Sequence, residues 1–108
     1  MWTYKAEVLR IVDADTLDVE IDVGFYTYTH QRLRVARIDA WEVRGKERVE
    51  GKIAKARVEE LCPSGTELVI KTSKTGKYGR WIAEITLPSG QNLSDLLVEE
   101  GHAEYKDY

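Results

Sequence analysis

Five residues of this 108-residue chain are of the types that phosphodiester hydrolysis requires: Asp15, Arg34, Asp39, Glu42 and Arg80. A phosphodiester carries a negative charge that repels an attacking hydroxide, and its cleavage puts further charge on the phosphoryl oxygens. A protein assists by holding a divalent cation on carboxylates, aiming guanidinium groups at the phosphate and supplying a base for water. Asp15 and Asp39 offer hard oxygen ligands for Ca2+ or Mg2+, Arg34 and Arg80 offer forked donors, and Glu42 offers the base. Each residue also has a plainer reading. An Asp in a turn more often caps backbone, an Arg on an alternating strand usually points to solvent, and Glu42 among lysines and arginines is by default half of a weak surface ion pair. The stretch Lys77-Tyr78-Gly79-Arg80 on its own is an ordinary turn entering a strand. The chemical reading therefore requires Asp15 and Asp39 to lie within about 10 Å of each other, with both arginines facing the space between.

The elements that must position these groups follow from hydrophobic spacing. Thr3 to Val12 is expected as a strand with Tyr4, Ala6, Val8 and Arg10 on one face. Asp13-Ala14-Asp15-Thr16 interrupts it with short side chains suited to a tight turn. Leu17, Val19, Ile21 and Val23 then alternate with acids in a second strand, and Gly24 to His30 is expected as an extended hairpin tip rich in aromatics. A third strand runs from Gln31 to Arg37, placing Leu33, Val35 and Arg37 on one side and Arg32, Arg34 and Ala36 on the other. From about Glu50, Ile53, Ala54, Arg57, Val58 and Leu61 adopt helical spacing over roughly three turns, until Pro63-Ser64-Gly65 stops them. Leu68, Val69 and Ile70 start a fourth strand, followed by a basic loop from Lys71 to Gly76. Trp81, Ala83 and Ile85 alternate in a fifth strand. Asn92 caps a short helix bearing Leu93, Leu96 and Leu97 that Gly101 ends.

The order β-β-β-α-β-β-α is that of a mainly β, α+β fold: a five-stranded Greek-key barrel of the OB type, with a helix inserted after strand 3 and a short C-terminal helix. A three-stranded meander packed on a separate hairpin is the rival architecture. Trp2 and Trp81 are read as packing residues, and Trp41 as either core or substrate contact.

The size of the chain fits one domain over residues 1–108. Its 43% hydrophobic and 32% charged content is that of a globular chain and argues against disorder. Apolar runs are only a few residues long, so no membrane span is expected, and without a leader in the chain as given the expected location is cytoplasmic, or secreted if a leader has been removed. The single Cys62 makes no internal disulfide, and with no second cysteine and no ligand spacing between His30 and His102, zinc chemistry is excluded. The net charge of −3 argues mildly against a nucleic-acid partner, yet residues 30–57 hold nine Lys or Arg against four acids, and residues 71–80 hold four bases and no acid. Phosphates follow such local patches.

Four separated motifs, in order, resemble the staphylococcal nuclease (thermonuclease-like) family: Asp13-Ala14-Asp15-Thr16; Arg34 through Ile38-Asp39-Ala40-Trp41-Glu42; Gly76-Lys77-Tyr78-Gly79-Arg80; and Asn92-Leu93 through Leu97-Val98 to Gly101. The resemblance covers residues 4 to 105. It implies a calcium-dependent phosphodiesterase, with Mg2+ or Mn2+ as alternative metals, that hydrolyses single-stranded or frayed DNA and RNA with little sequence preference and acts as a monomer. It implies Asp15, Asp39 and the Ala40 carbonyl as calcium ligands, Glu42 as the residue that activates water, Arg34 and Arg80 as phosphate contacts, and Lys77 and Tyr78 against the terminal phosphate and sugar of the nucleotide. Ala14, Trp41 and Gly76 replace the family's usual Gly, Pro and Asp. An Ala forced to positive φ in the first turn would be strained by roughly 1 kcal/mol. These departures keep a second reading in play, a catalytically weak or inactive module of the same fold that binds nucleic acid or a protein tail. Tyr105 and Tyr108 are read as either a base-facing aromatic or a frayed tail.

Overall fold

The computed structural model describes residues 2–40, 48–74 and 81–106, with backbone alone for Arg48 and Lys74. The expectations placed on Trp41, Glu42, Gly76, Lys77, Tyr78, Arg80 and Tyr108 lie outside the described residues. The elements are β1 (Trp2–Asp13), β2 (Thr16–Asp22), β3 (Tyr28–Val35), β4 (Ile38–Ala40), α1 (Arg48–Leu61), β5 (Glu67–Lys74), β6 (Trp81–Thr86), α2 (Leu93–Glu99) and β7 (Ala103–Tyr105). Five of the strands close a barrel in the order β1-β2-β3-β6-β5, while β4 and β7 form a separate two-stranded sheet. All pairings are antiparallel except β3 with β6, which places Arg34 beside Ile82. This is the expected OB-type barrel with a helix inserted before β5 and a short helix after β6. No described helix is long and apolar enough to cross a membrane.

Alternation fills the barrel. Leu17 and Val19 of β2, Leu33 and Val35 of β3, Leu68 and Ile70 of β5 and Ala83 and Ile85 of β6 are all at most 1% exposed. Each leucine-sized side chain so buried contributes about 1.5–3 kcal/mol against its exposed state. Helix α1 closes one end with Ala54 and Val58, and Cys62 follows in the same apolar stripe. Burial pushes the Cys62 thiol up to about 11, so it packs as a small apolar group and is a poor nucleophile.

The structure departs from the spacing argument in several places. A bulge between Val8 and Arg10 slips the phase of β1, so Ile11 rather than Arg10 turns inward. The β2–β3 tip is shorter than expected, because β3 already starts at Tyr28; Phe25 and Tyr26 make the turn at φ 55° and 58° and are fully exposed. Strand β3 ends at Val35, and Arg37 sits in a left-handed turn at φ 64° instead of on the sheet. The expected loop from Lys71 is strand through Lys74, since its backbone pairs with β6. Ile53 is 55% exposed, and Arg57 leaves the apolar stripe to fork onto Glu100 at 2.7 and 2.9 Å, holding that carboxylate below its usual range. Trp2 is 69% exposed, so it is not a packing residue, whereas Trp81 packs against the core as expected.

Candidate active site

The β1–β2 turn, the end of β3 and the start of β4 meet at one point. The backbone carbonyl of Asp15 accepts from Val35 N–H at 2.8 Å, which pins the turn against the last residue of β3. Ala14, fully buried, packs into the core and is not among the residues with positive φ, so the strain feared for that substitution does not arise.

Pinned in this way, the Asp15 carboxylate faces inward across the outer side of β3. Its Oδ2 pairs with Arg34 Nη1 at 2.8 Å and accepts the Ala40 N–H at 3.0 Å, while Oδ1 accepts the Thr16 hydroxyl at 3.1 Å. Arg34 Nη1 also lies 3.4 Å from the Asp15 carbonyl, and Nη2 reaches Asp39 Oδ1 at 3.3 Å. The second Asp39 oxygen lies 3.6 Å from Lys106 Nζ. The Arg34 and Asp15 side chains are only 11% and 12% exposed, against 46% for Asp39. Arg34 is thus a buried arginine between a sealed carboxylate and one at the solvent rim, which corrects the expectation that strand alternation leaves it in water. The turn of β1–β2 and the strand β4 cover what would otherwise be an exposed face.

Asp39 is held from both sides. In the β4–β7 ladder it pairs with Glu104, and Lys106 N–H donates to the Arg37 carbonyl at 2.8 Å. Arg37 itself clasps Glu84 at 2.6 and 3.1 Å and Asp95 at 3.2 Å, and its guanidinium carbon lies 5.9 Å from the Tyr105 ring centre. The Tyr105 hydroxyl donates to Asp95 at 2.8 Å. The bond from Arg37, and next that from Tyr105, hold the Asp95 carboxyl below the usual range, while the Asp95 partner raises the Tyr105 hydroxyl. Tyr105 is therefore not a frayed tail, since it pairs with Ile38 in the β4–β7 ladder. It braces the turn that joins Arg34 to Asp39.

Of the residues singled out in the sequence, Asp15, Arg34, Asp39 and Ala40 come together. The two carboxylates are bonded to sister nitrogens of one guanidinium, which stands between them. The chemistry of the donors suits a hard cation: two carboxylates converge, and Ala40 adjoins both, by its amide and by the chain. Two contributors escaped sequence reasoning. Thr16 reads only as a turn residue by its sequence context, and Lys106 ends the extended run from Ala103 that signals a strand after the Gly101 stop.

Comparison with known proteins identifies the family. Residues 32–108 match the family model described as staphylococcal nuclease homologue. Among curated proteins the chain is similar to a micrococcal nuclease of Shigella flexneri, with 31% identity over 108 aligned residues that take in 93% of this chain and 57% of that protein. The chain thus spans little more than half the length of the relative it matches.

Proposed function

Because the chain belongs to the staphylococcal nuclease family, we propose that it is a calcium-dependent phosphodiesterase acting on single-stranded or frayed DNA and RNA with little sequence preference. The observation that carries the reading is the buried Asp15–Arg34 ion pair with Asp39 at its solvent rim. Sealing a guanidinium between two carboxylates is costly, and well-packed apolar residues often serve stability as well or better. Such a cluster is better explained by use.

In this reading the Asp15 and Asp39 carboxylates and the Ala40 carbonyl hold the cation, Ca2+ by choice and Mg2+ or Mn2+ as alternatives. When bound, it supplies positive charge opposite the phosphoryl oxygens and makes water easier to deprotonate. The remaining work falls to side chains. Arg34 contacts the phosphate: an arriving oxygen competes with Asp39 for Nη2, whose 3.3 Å contact is the longer and more exposed of the two ion pairs. Asp15 meanwhile keeps Nη1 in place, so the fork is oriented before substrate arrives. Glu42 takes the proton of the attacking water, Arg80 balances charge developing on phosphorus, and Lys77 and Tyr78 hold the terminal phosphate and sugar. In-line attack of water on phosphorus with the 5′ oxygen as leaving group, the course the family resemblance implies, leaves the phosphate on the 3′ side.

A second reading, a weakly active or inactive binding module, draws on the same bonds, since Arg34 already pairs with both carboxylates and Lys106 with the outer Asp39 oxygen. Incubating the protein with single-stranded DNA and Ca2+, with and without chelator, separates the two. Cleavage that chelator abolishes is the expected result. Binding that ignores chelator, with the strand left intact, would transfer support to the module.

A further inference from the structure

The inward rows of the barrel strands do not all end in core. At the end where β1, β3 and β6 begin and β2 and β5 finish, they open into a cavity of about 230 Å³. Its walls include Trp2, Tyr4 and Trp81, with Val23 at the rim and Gln31 and Thr72 as polar groups; among the described residues no charged one lines it. We propose that this barrel mouth receives one unpaired nucleobase of the bound strand, an inference that rests on the nuclease reading above.

Four observations favour that occupant. The cavity is smaller than the roughly 300–1,000 Å³ of sites for drug-sized ligands, so it has room for one ring system and not for a length of chain. Aromatic walls accept any base by its face, which suits a substrate read without sequence preference. Gln31 donates one amide proton to Thr29 at 2.9 Å, which orients its carbonyl-bearing amide at the cavity for a base edge. The mouth also adjoins β3, whose opposite face carries Arg34 of the candidate active site. Trp81 pairs across the ladder with Leu33, the neighbour of Arg34, and Gln31 lies three residues before Arg34 on the same strand. That is about 10 Å along β3 but on the other face of the strand, so a bound strand reaches both by passing round the rim.

Charge sets the direction of approach. On the outer side of β1 and β2 a second depression is lined by Glu7, Glu20, Asp22 and Glu67 against the single cation Lys5, and it repels phosphates. On the other flank β5 carries exposed Lys71 beside Thr72, at the start of the stretch 71–80 that contains four bases and no acid. The backbone of a bound strand therefore keeps clear of the β1–β2 side while a base turns into the mouth.

The test is the affinity for a fluorescently labelled oligothymidylate, measured by anisotropy in chelator so that nothing is cut. Trp2 is the residue to change, because its exposure makes the fold insensitive to its loss. Trp2→Ala is expected to weaken binding roughly five- to a hundredfold, the range of one lost base-stacking contact, while Trp2→Phe keeps most of it. A duplex of equal length, whose bases are paired, is expected to bind both variants alike. Parental affinity in Trp2→Ala, an equal loss in Trp2→Phe, an equal loss with duplex, or no binding by the parent would each overturn the subsite. Cutting of the same oligomer by the parent in Ca2+ is scored separately. Trp2-dependent binding without cutting sinks only the nuclease reading, and cutting with Trp2-independent binding sinks only the mouth.

Discussion

Replacing Arg34 by Met removes the guanidinium while keeping a long, flexible side chain, and its effect can be worked from the contacts. Breaking a buried ion pair by deleting one partner costs about 3–5 kcal/mol, because the other charge stays behind unpaired. Asp39, 46% exposed, recovers water and Lys106, so little of the cost falls there. Asp15 is sealed but keeps the Ala40 amide and the Thr16 hydroxyl. The expected loss is therefore near the lower limit, about 3 kcal/mol, or a fall in Tm of roughly 12–24 °C for a domain of this size. A divalent cation should reverse much of it. Two carboxylates without their counter-ion form a stronger cation site, and a like charge removed from about 5 Å is worth several kcal/mol at an effective dielectric near 20. We expect Ca2+ affinity to rise at least tenfold, which adds about 1.4 kcal/mol of stabilisation at a fixed saturating concentration. Thermal melts of parent and Arg34→Met across a Ca2+ series, with calorimetric titration for the affinity, read both effects, and Arg34→Lys should fall between them. If Ca2+ raises the Tm of the variant no more than that of the parent, the carboxylates do not share an ion and the proposed cation site is wrong.

Under the proposed function, Glu42→Gln and Arg80→Ala each lower turnover by a factor of about 10² to 10⁴ with an unchanged melting curve; parental turnover in either removes that residue from the mechanism. At Arg37 the left-handed φ of 64° and the clasp on Glu84 and Asp95 act in opposite directions. Arg37→Ala loses the clasp and keeps the strain, so it should melt lower than Arg37→Gly by about 1 kcal/mol equivalent, and equal melting would show that the turn is not strained. Asp95 has a folded-state value below its usual 3.8, so its contribution is complete above that value and is lost as the pH falls through the lower folded one. Asp95→Asn should accordingly be less stable at neutral pH and lose less stability on acidification below about pH 4, as followed by melts across that range.

The barrel was legible because burial there depends only on alternation. In Leu17, Val19 and Ile21, or in Ala83 and Ile85, the period of two survives without interruption, and Ala54 and Val58 do the same for α1 at helical spacing. Where the backbone departs from the regular path the reading failed. A one-residue bulge after Val8 exchanges the roles of Arg10 and Ile11, and no local signal marks it. Three-residue strands such as β4 and β7 are too short to show a period, so the clamp on Asp39 was invisible even though Asp39 itself was not. Trp2 shows the converse limit. Its inward direction on β1 is implied by the phase of Tyr4 and Ala6, but the phase does not say that the barrel is open at that level.

Arg34 makes the physical reason plain. Spacing along β3 assigns it correctly to the face opposite Leu33 and Val35, and from that the strand pattern infers solvent. Whether the outer face is wet, however, is decided by a turn 19 residues earlier, whose Asp15 carbonyl takes the Val35 N–H, and by Ala40, whose amide takes the Asp15 carboxylate. These contacts exist only after the chain closes on itself. A charge buried by such distant pieces is costly to keep, which is why several residue types recurring together at fixed separations carried more information than any one of them. Asp15, Arg34 and Asp39 each look like surface residues in isolation, and only their joint satisfaction in one place makes the burial of Arg34 and Asp15 tolerable.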